Sequence, residues 1–232
     1  MTTSGIIYIT AGKTYTEDAC HAAESARAAN PGLGIDLFCD DPSIVPEGLF
    51  DKVHRIETPH RRSKVDCLHL SRFDRTLYLD SDTRVVTDLS DLFRVLERFD
   101  LAVCHAHARE RKKTNAIWKT DIPSAFPQLN GGVLLYRRSP EVDAFLQDWA
   151  STFAEAGFGK DQVTLRELFW HTDLRWFVLP PEYNIRYAKY LDVWDPEEAQ
   201  PKIKHFAEYN QMSAQKRKAK KKQGVLGRLF GR

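Results

Sequence analysis

Residues 75–82 read RTLYLDSD, an apolar β-type run that ends on two carboxylates, Asp80 and Asp82. In extended backbone, residues i and i+2 point to the same side, so the carboxylates are expected to lie together at the carboxyl end of a strand. Such a pair suits Mg²⁺ or Mn²⁺, which accept oxygen ligands and keep positions for substrate phosphates. Without a cation, like charges this close would raise the pKa of one carboxyl strongly. The segment therefore predicts a buried strand that ends at a divalent-metal site.

Strand-like and helix-like segments alternate on both sides of this motif. Strands are predicted over residues 5–10, 35–39, 52–56, 76–79, 101–104, 132–136 and 176–179. Helices are predicted over residues 17–29, with Thr16 as N-cap, over 63–73 and 89–99, and from Pro140 and near Asp161. The alternation predicts an α/β fold: a mostly parallel central sheet with helices on both faces. Ligands bind beyond the carboxyl ends of the strands in such sheets.

Length and composition predict a single domain, residues 1–210, followed by a basic C-terminal tail, residues 211–232. No apolar run approaches the ~20 residues of a membrane span, and the N-terminus lacks the basic region of a signal peptide. None of the four cysteines forms a C-x-x-C pair. Buried, reduced thiols in a cytoplasmic protein are therefore expected, rather than a disulfide framework or a zinc site.

The tail concentrates the positive charge of the chain. Residues 216–232 contain eight Lys or Arg and no acid, and without these eight charges the net charge changes from +2 to −6. The main body is therefore not expected to bind nucleic acid. Because Val225, Leu226, Leu229 and Phe230 accompany the lysines, we interpret the tail as a peripheral anchor to the anionic inner face of the cytoplasmic membrane. A disordered, solvated tail is the alternative.

The D-x-D segment alone is compatible with three kinds of site. One is a solvated turn capped by Asp82. The second is a phosphatase of the haloacid dehalogenase type, with Asp80 as nucleophile and Asp82 as general acid. That class carries the motif near its N-terminus, followed by a late acidic pair, whereas here 79 residues come first. The third is the D-x-D of the GT-A glycosyltransferases, which lies in mid-chain after a nucleotide-binding half.

Several further segments, taken in chain order, favour the third kind of site. They are ITAGKTY at 9–15, Lys64, DSDT at 80–83 followed by DLSDLF at 88–93, LNGGV at 129–133, GKDQ at 159–162, LPPEYN at 179–184 and IKHF at 203–206. Over residues 5–207 the chain thereby resembles glycosyltransferase family 8. This family of GT-A-fold nucleotide-diphospho-sugar transferases includes glycogenin and bacterial lipopolysaccharide galactosyltransferases.

The resemblance implies a metal-dependent enzyme that moves a hexose from a nucleotide-sugar to a glycan or glycolipid, with retention of anomeric configuration. Mn²⁺ or Mg²⁺ is the implied cofactor and a UDP-sugar the implied donor. The implied metal ligands are Asp80, Asp82 and His205, and the implied catalytic residues are Asp161 and Gln162. The implied donor-binding residues are Thr10, Tyr15, Lys64, Asp80, Ser81, Asp82, Asn130, Gly131 and Gly132. The metal ion and Lys64 would supply the positive charge that a diphosphate leaving group needs, because its departure is the difficult step.

Four points stay open on the sequence. The family often has Gly and then Lys-Pro-Trp after its late histidine, whereas AEYNQ follows here, so Lys204 or a tail residue is expected to substitute, or donor binding to be weaker. An inverting enzyme would need a carboxylate base, for which Asp161 and Glu182 are candidates. We interpret His105 and His107 as lining the acceptor cleft, with a metal-binding pair as the alternative. A sugar-nucleotide-binding protein without turnover is the non-enzymatic alternative.

Overall fold

A seven-stranded sheet lies at the centre of the computed structural model, which describes residues 2–109 and 116–211. Its strands are β1 (Ser4–Ile9), β2 (Gly34–Cys39), β3 (Lys52–Arg55), β4 (Arg75–Leu79), β6 (Leu101–His105), β7 (Leu129–Arg137) and β8 (Trp176–Val178). A separate two-stranded sheet pairs β5 (Arg84–Val85) with β9 (Ile203–Lys204). The large sheet has the order β3-β2-β1-β4-β7-β6-β8, and β7 runs antiparallel to both neighbours while the other pairings are parallel. The predicted mostly parallel sheet is confirmed.

Helices cover both faces of the sheet, as predicted. In β1, Ile6 and Tyr8 face one side and Ile7 and Ile9 the other, because side chains alternate along a strand. The first side packs against helix α1 (Lys13–Ala29), whose buried alanines let it approach closely. The second side packs against α2 (Lys64–Cys67), α3 (Pro140–Ala156) and α4 (Gln162–His171), with Trp149 of α3 fully buried.

Helix α1 begins earlier than the sequence pattern predicts. Gly12, not Thr16, is the N-cap, and its φ of 98° lies in the left-handed region that favours glycine. The Gly12 N–H donates to both carboxylate oxygens of Asp40, at 2.9 and 3.0 Å. Thr16 is instead buried inside the helix, where its hydroxyl lies 2.9 Å from that of Thr10. The prediction of Thr16 as the cap was wrong because the residue that stabilises the turn, Asp40, follows a different strand.

Two predicted helices are shorter or tighter than expected. The helix over 63–73 is reduced to α2 and a 3-10 turn, Leu68–Leu70. Phe73 must leave the helical path, because its ring packs directly on Gly5 and Gly34, where an added Cβ would lie 2.4 and 2.6 Å from ring atoms. The segment over 89–99 is a 3-10 helix, Ser90–Glu97, in which Phe93 and Leu96 are buried. Three residues per turn place these two side chains on the same side.

All four cysteines are buried free thiols, as expected. Within residues 2–109 and 116–211, no helix is both long enough and apolar enough to span a membrane. The basic segment 216–232 lies outside the described residues, so the membrane-anchor interpretation and the domain boundary near residue 210 stay predictions.

Candidate active site

A cavity of about 460 Å³ opens where β1, β4 and β6 end and β7 begins. This is the edge at which α/β sheets bind ligands, because the loops after parallel strands converge there. Eleven of the residues that the sequence singles out line the cavity: Thr10, Tyr15, Lys64, Asp80, Ser81, Asp82, His107, Asn130, Asp161, Gln162 and His205. Segments from residue 10 to residue 205 are thus gathered at one place by the fold.

Asp80, Asp82 and His205 form a group that could hold a metal ion. One ligand atom from each lies within 4.8 Å of the others. His205 Nε2 is 2.9 Å from Asp82 Oδ1 and 3.6 Å from Asp80 Oδ2. Two carboxylate oxygens and one imidazole nitrogen on one side of a cavity leave the remaining coordination positions open to a ligand.

The reason given by the sequence pattern for the Asp80–Asp82 proximity was wrong. Strand β4 ends at Leu79, and the two carboxylates lie in the turn that follows, not in extended backbone. The turn is fixed by the Thr83 hydroxyl, which donates to the Asp80 carbonyl at 2.8 Å, and by the Asp80 N–H, which donates to Gly132 O at 2.9 Å. The carboxylates therefore meet through turn geometry and contact with β7.

Asn184 orients the imidazole of His205. The ring is buried, and its Nδ1 lies 2.7 Å from Asn184 Oδ1. Since an amide oxygen only accepts, Nδ1 carries the proton and donates, which directs Nε2 toward the two carboxylates. The backbone N–H of His205 also donates to the Ile185 carbonyl at 2.8 Å, so hydrogen bonds from the backbone and from the side chain both fix this residue.

The two carboxylates remain ionised despite their burial. Burial raises the pKa of Asp80, but the charges of Lys64 and His205 outweigh it and hold the pKa below its usual value. Burial likewise opposes ionisation of Asp82, yet the charge and hydrogen bond of His205 lower its pKa to about 2. Both carboxylates are therefore anionic near neutral pH, which is the state that a divalent cation requires of its ligands.

Lys64 and Asp161 form a buried ion pair behind the metal-ligand group. Lys64 Nζ lies 3.1 Å from Asp161 Oδ2 and 3.2 Å from Asp80 Oδ1, and it donates to the Gly131 carbonyl at 3.0 Å. Asp161 is 2% exposed, and although it is the N-cap residue of α4, its side chain makes no capping hydrogen bond. Arg62 Nε lies 3.4 Å from the other carboxylate oxygen of Asp161. The sequence pattern did not single out Arg62, because nothing local links it to Asp161.

Gly131 and Gly132 do not line the cavity but leave space for the residues that do. A Cβ at Gly132 would lie 2.4 Å from His205 Cε1 and 2.5 Å from Asp80 Oδ2. A Cβ at Gly131 would lie 2.9 Å from the ring of Trp149. The glycine pair therefore lets β7 pass directly behind the metal-ligand group.

Three further side chains at the site were missed by the sequence pattern. The Tyr78 hydroxyl donates to Asp80 Oδ1 at 2.5 Å, and Arg186 Nη1 lies 3.9 Å from Asp82 Oδ2. Asn184, quoted above only as part of a motif, is the residue that orients His205. Lys204, the expected substitute for a missing lysine, is in β9 and is not among the residues that line the cavity. Arg186 follows the LPPEYN segment by two positions, which was the available signal.

Neither His105 nor His107 belongs to the metal-ligand group. Among the described residues, the one group of three ligands suited to a metal contains neither of them. The His107 ring packs edge-on against Tyr187, with ring centres 4.4 Å apart. Burial lowers the pKa of His105, and the charge of Arg109 acts in the same direction, so the His105 ring is neutral near neutral pH.

Comparison with known proteins identifies the fold. No family model matches the sequence, and no curated protein does. The structure is similar to that of the glycosyltransferase GlyE from Streptococcus pneumoniae TIGR4, with a TM-score of 0.62, 21% identity and 88% of this chain covered. The match covers 54% of the GlyE chain, so this chain spans about half its length. The structure is also similar to that of the galactosyltransferase LgtC in complex with donor and acceptor sugar analogues, with a TM-score of 0.60, 17% identity, and 87% and 86% of the two chains covered. The chain therefore has the GT-A fold of these glycosyltransferases.

Proposed function

We propose that this chain is a metal-dependent glycosyltransferase that moves a hexose from a UDP-sugar to a glycan or glycolipid acceptor. The observation that carries the proposal is the Asp80, Asp82 and His205 group, which faces a cavity at the ligand-binding edge of a GT-A sheet. The likeness to proteins named as a glycosyltransferase and a galactosyltransferase supports the reaction class.

The donor atoms of the site suit Mn²⁺. Mg²⁺ prefers an octahedral shell of oxygens, whereas a set of two carboxylates and one imidazole fits a transition ion with mixed oxygen and nitrogen ligands. The buried imidazole of His205, oriented by Asn184, supports such a cation. When bound, the metal would act as a Lewis acid that stabilises charge on the departing diphosphate.

Lys64 and Arg186, two cationic side chains that line the cavity, are proposed to have different roles. Lys64 is buried against Asp80 and Asp161, so it neutralises and positions these carboxylates rather than reaching the donor directly. Arg186 lines the cavity beside Asp82 and is the cation best placed to contact the diphosphate in place of the absent family lysine. Gln162, at the start of α4, and Asp161, which is held by Lys64, are proposed to contact the sugar.

Retention of configuration is supported by the state of the carboxylates. Among the described residues lining the cavity, the acids are Asp80, Asp82 and Asp161. The first two belong to the metal-ligand group, and Asp161 is paired with Lys64 and Arg62. Glu182, the other candidate base of an inverting reaction, does not line the cavity. Among the described residues lining the cavity, no unpaired carboxylate is therefore available to deprotonate an acceptor hydroxyl, as an inverting mechanism would need.

The phosphatase alternative is not favoured. A nucleophilic Asp80 would need a free carboxylate oxygen, but Oδ1 accepts from Tyr78 and contacts Lys64, and Oδ2 faces His205. The structural similarity to two glycosyltransferases also favours the transferase over the phosphatase.

Hydrolysis of UDP-hexoses tests the proposed function. Purified protein should hydrolyse UDP-glucose or UDP-galactose slowly with Mn²⁺ and not with EDTA, because water can replace a missing acceptor. Asp82→Asn should abolish this hydrolysis. Release of phosphate from p-nitrophenyl phosphate would instead support the phosphatase. Binding of UDP without hydrolysis, and without transfer to any added glycan, would support a non-catalytic binding protein.

A further inference from the structure

A second cavity, of about 310 Å³, opens beside the first and shares Ala106, His107 and Arg186 with it. Much of its wall is apolar and comes from the segment that begins at the end of β8, through Leu179, Pro181, Ile185, Tyr190 and Trp194. Such a wall favours an occupant with apolar side chains, because the contact removes apolar surface from water.

A buried polar atom in the same wall adds a second requirement for the occupant. Asn184 is 7% exposed and lines the cavity. Its Oδ1 lies 2.7 Å from His205 Nδ1, whereas its Nδ2 has no hydrogen-bond partner within residues 2–109 and 116–211. Native proteins seldom leave a buried donor unpaired. A peptide fits both requirements, because it combines apolar side chains with backbone carbonyls.

An acidic segment adjoins the cavity. Residues 192–198 contain four exposed acids and no base, a local charge of −4: Asp192, Asp195, Glu197 and Glu198. Trp194, which lines the cavity, stands among them. Within the described part of the chain, none of the four acids takes part in an ion pair. The surroundings of the cavity therefore favour an occupant with positive charge next to its apolar part.

The C-terminal segment of the chain has this complementary composition. Residues 216–222 contain six Lys or Arg, and no acid occurs from residue 216 to residue 232. The apolar residues follow this lysine cluster: Val225, Leu226, Leu229 and Phe230. A cationic stretch is thus followed by an apolar one, which matches an acidic segment beside an apolar cavity.

The C-terminal segment is also long enough to reach the cavity. Gln211, the last described residue, donates its N–H to Asp18 Oδ2 at 3.3 Å, and Asn210 lines the first cavity. Phe230 follows Gln211 by 19 positions. When extended, 19 residues span about 60 Å, more than the diameter of about 45 Å expected for a domain of this size. A tethered segment has an effective concentration on the order of mM, which favours it over a separate molecule.

We propose that residues 225–230 dock in the second cavity while the lysine cluster, residues 216–222, pairs with the acidic segment, residues 192–198. A backbone carbonyl of the docked residues would accept the hydrogen bond from Asn184 Nδ2. The same apolar residues cannot fill the cavity and insert into a lipid surface at once, so an anionic membrane should displace them. This inference goes beyond the proposed function and does not depend on the reaction.

Photo-cross-linking of the full chain tests the docked segment. The chain carries p-benzoylphenylalanine in place of Phe230, is irradiated at low protein concentration, and is analysed by mass spectrometry. We expect links within one chain to the cavity residues Ile185, Tyr190 or Trp194. Vesicles that contain phosphatidylglycerol should abolish these links, whereas vesicles of phosphatidylcholine alone should not.

A charge variant tests the role of the acidic segment. Asp192→Asn combined with Glu197→Gln removes two of its four charges and should weaken docking about fivefold. At the NaCl concentration that halves the yield of links in the otherwise unaltered chain, the yield should therefore be about threefold lower. Glu47→Gln combined with Glu57→Gln is the matched control, because these exposed acids flank β3, at the opposite edge of the sheet from β8.

The docked segment is refuted if position 230 links to no residue of the cavity wall, or if the two double variants give equal yields. Links between two chains would assign the cavity to the C-terminal segment of a second copy instead. Links that persist with phosphatidylglycerol would overturn displacement by membranes.

Discussion

At the scale of single residues, His205 links distant parts of the chain. It lies 123 positions from Asp82 in sequence, yet its Nε2 is 2.9 Å from the Asp82 carboxylate. Asn184 holds the opposite side of the ring. The buried ring is therefore fixed so that its Nε2 points at the carboxylates of Asp80 and Asp82.

Replacing His205 by Ala should abolish metal-dependent UDP binding and hydrolysis while the chain stays folded. The carboxylates that remain offer too few ligands for tight binding, so we expect the Mn²⁺ affinity to fall about 100-fold, at the upper end of the effect of losing a metal-orienting partner. Calorimetric titration with Mn²⁺ and UDP measures this. His21→Ala, an exposed change on α1, is the control. Retained Mn²⁺ affinity would remove His205 from the proposed metal site.

Gly132→Ala should weaken metal binding without reducing the ligand set. The new Cβ would meet His205 Cε1 and Asp80 Oδ2 at about 2.4–2.5 Å, so both ligands must move apart. A fall in Mn²⁺ affinity of about tenfold or more is expected, since a displaced ligand loses its coordination geometry. Gly32→Ala is the matched control, because nothing lies within 4 Å of its added Cβ. Equal Mn²⁺ affinities of the two variants would show that β7 can shift freely.

At the scale of elements, contacts made by very short strands and helices join the first and second halves of the chain. Strand β9 pairs antiparallel with β5, with Val85 opposite Ile203, and this pairing carries His205 to the turn after β4. Helix α2 supplies Lys64 to Asp161 at the start of α4. Two-residue strands and one-turn helices give weak local signals, but both are fixed here by buried contacts.

The α2–α4 ion pair should show strong coupling in a double-mutant cycle. Lys64→Met removes the buried cation shared by Asp161 and Asp80, leaves Arg62 as the remaining counter-charge of Asp161, and should lower the free energy of unfolding by about 3 kcal/mol. Lys64→Met combined with Asp161→Leu should cost clearly less than the sum of the single changes. Urea denaturation of the four proteins measures this. The exposed pair Lys119 and Glu155 is the control and should couple by about 0.5 kcal/mol or less. Additive effects at Lys64 and Asp161 would contradict the ion pair.

Asp18 on α1 should make stability fall as pH rises. Its buried carboxylate accepts the Gln211 N–H at 3.3 Å, but burial raises its pKa from 3.8 to about 6. Because the folded-state pKa exceeds the unfolded one, the contribution to stability is fully present below about pH 4 and is lost as pH rises through about 6. The difference between the Tm of Asp18→Asn and the Tm of the unaltered chain should therefore shift in favour of the variant as the pH rises from 4 to 7. Glu17→Gln is the control, and a constant difference in Tm for Asp18→Asn would contradict the raised pKa.

At the scale of the whole molecule, the sheet brings the chemistry together. The loops after β1, β4 and β6 and the start of β7 meet at one edge, where the cavity of about 460 Å³ opens. A second cavity of about 310 Å³ shares Ala106, His107 and Arg186 with it. The proposed transfer needs the donor and the acceptor side by side, which this edge of the sheet allows.

The basic segment 216–232 should bind the whole chain to anionic membranes. Its eight cationic residues and its apolar residues, among them Phe230, predict attraction to lipid headgroups followed by shallow insertion. The full chain should co-sediment with vesicles that contain phosphatidylglycerol, and a version ending at Gln211 should not. Vesicles of phosphatidylcholine alone are the control, since they carry no net charge. Equal sedimentation of both versions would show that the segment is merely solvated.

The sequence alone predicted those features that depend on local pattern. Alternating apolar runs predicted most strands of the sheet, and the run before Asp80 predicted the buried strand β4 and an acidic group at its end. The family resemblance carried by the short motifs predicted the GT-A fold and a set of site residues that, apart from Gly131 and Gly132, line the first cavity. The strands were predictable because side-chain alternation involves neighbours in sequence.

The tertiary structure alone decided which distant side chains meet. Pairing of β5 with β9 brings His205 to Asp82, and packing of α2 near α4 buries Lys64 against Asp161. The carboxylate of Asp40, after β2, accepts the N–H of Gly12, the N-cap of α1. The second cavity also exists only once the loop after β6 meets the segment around Tyr190. None of these contacts has a local signature, because each depends on burial and ion pairing between segments far apart in sequence.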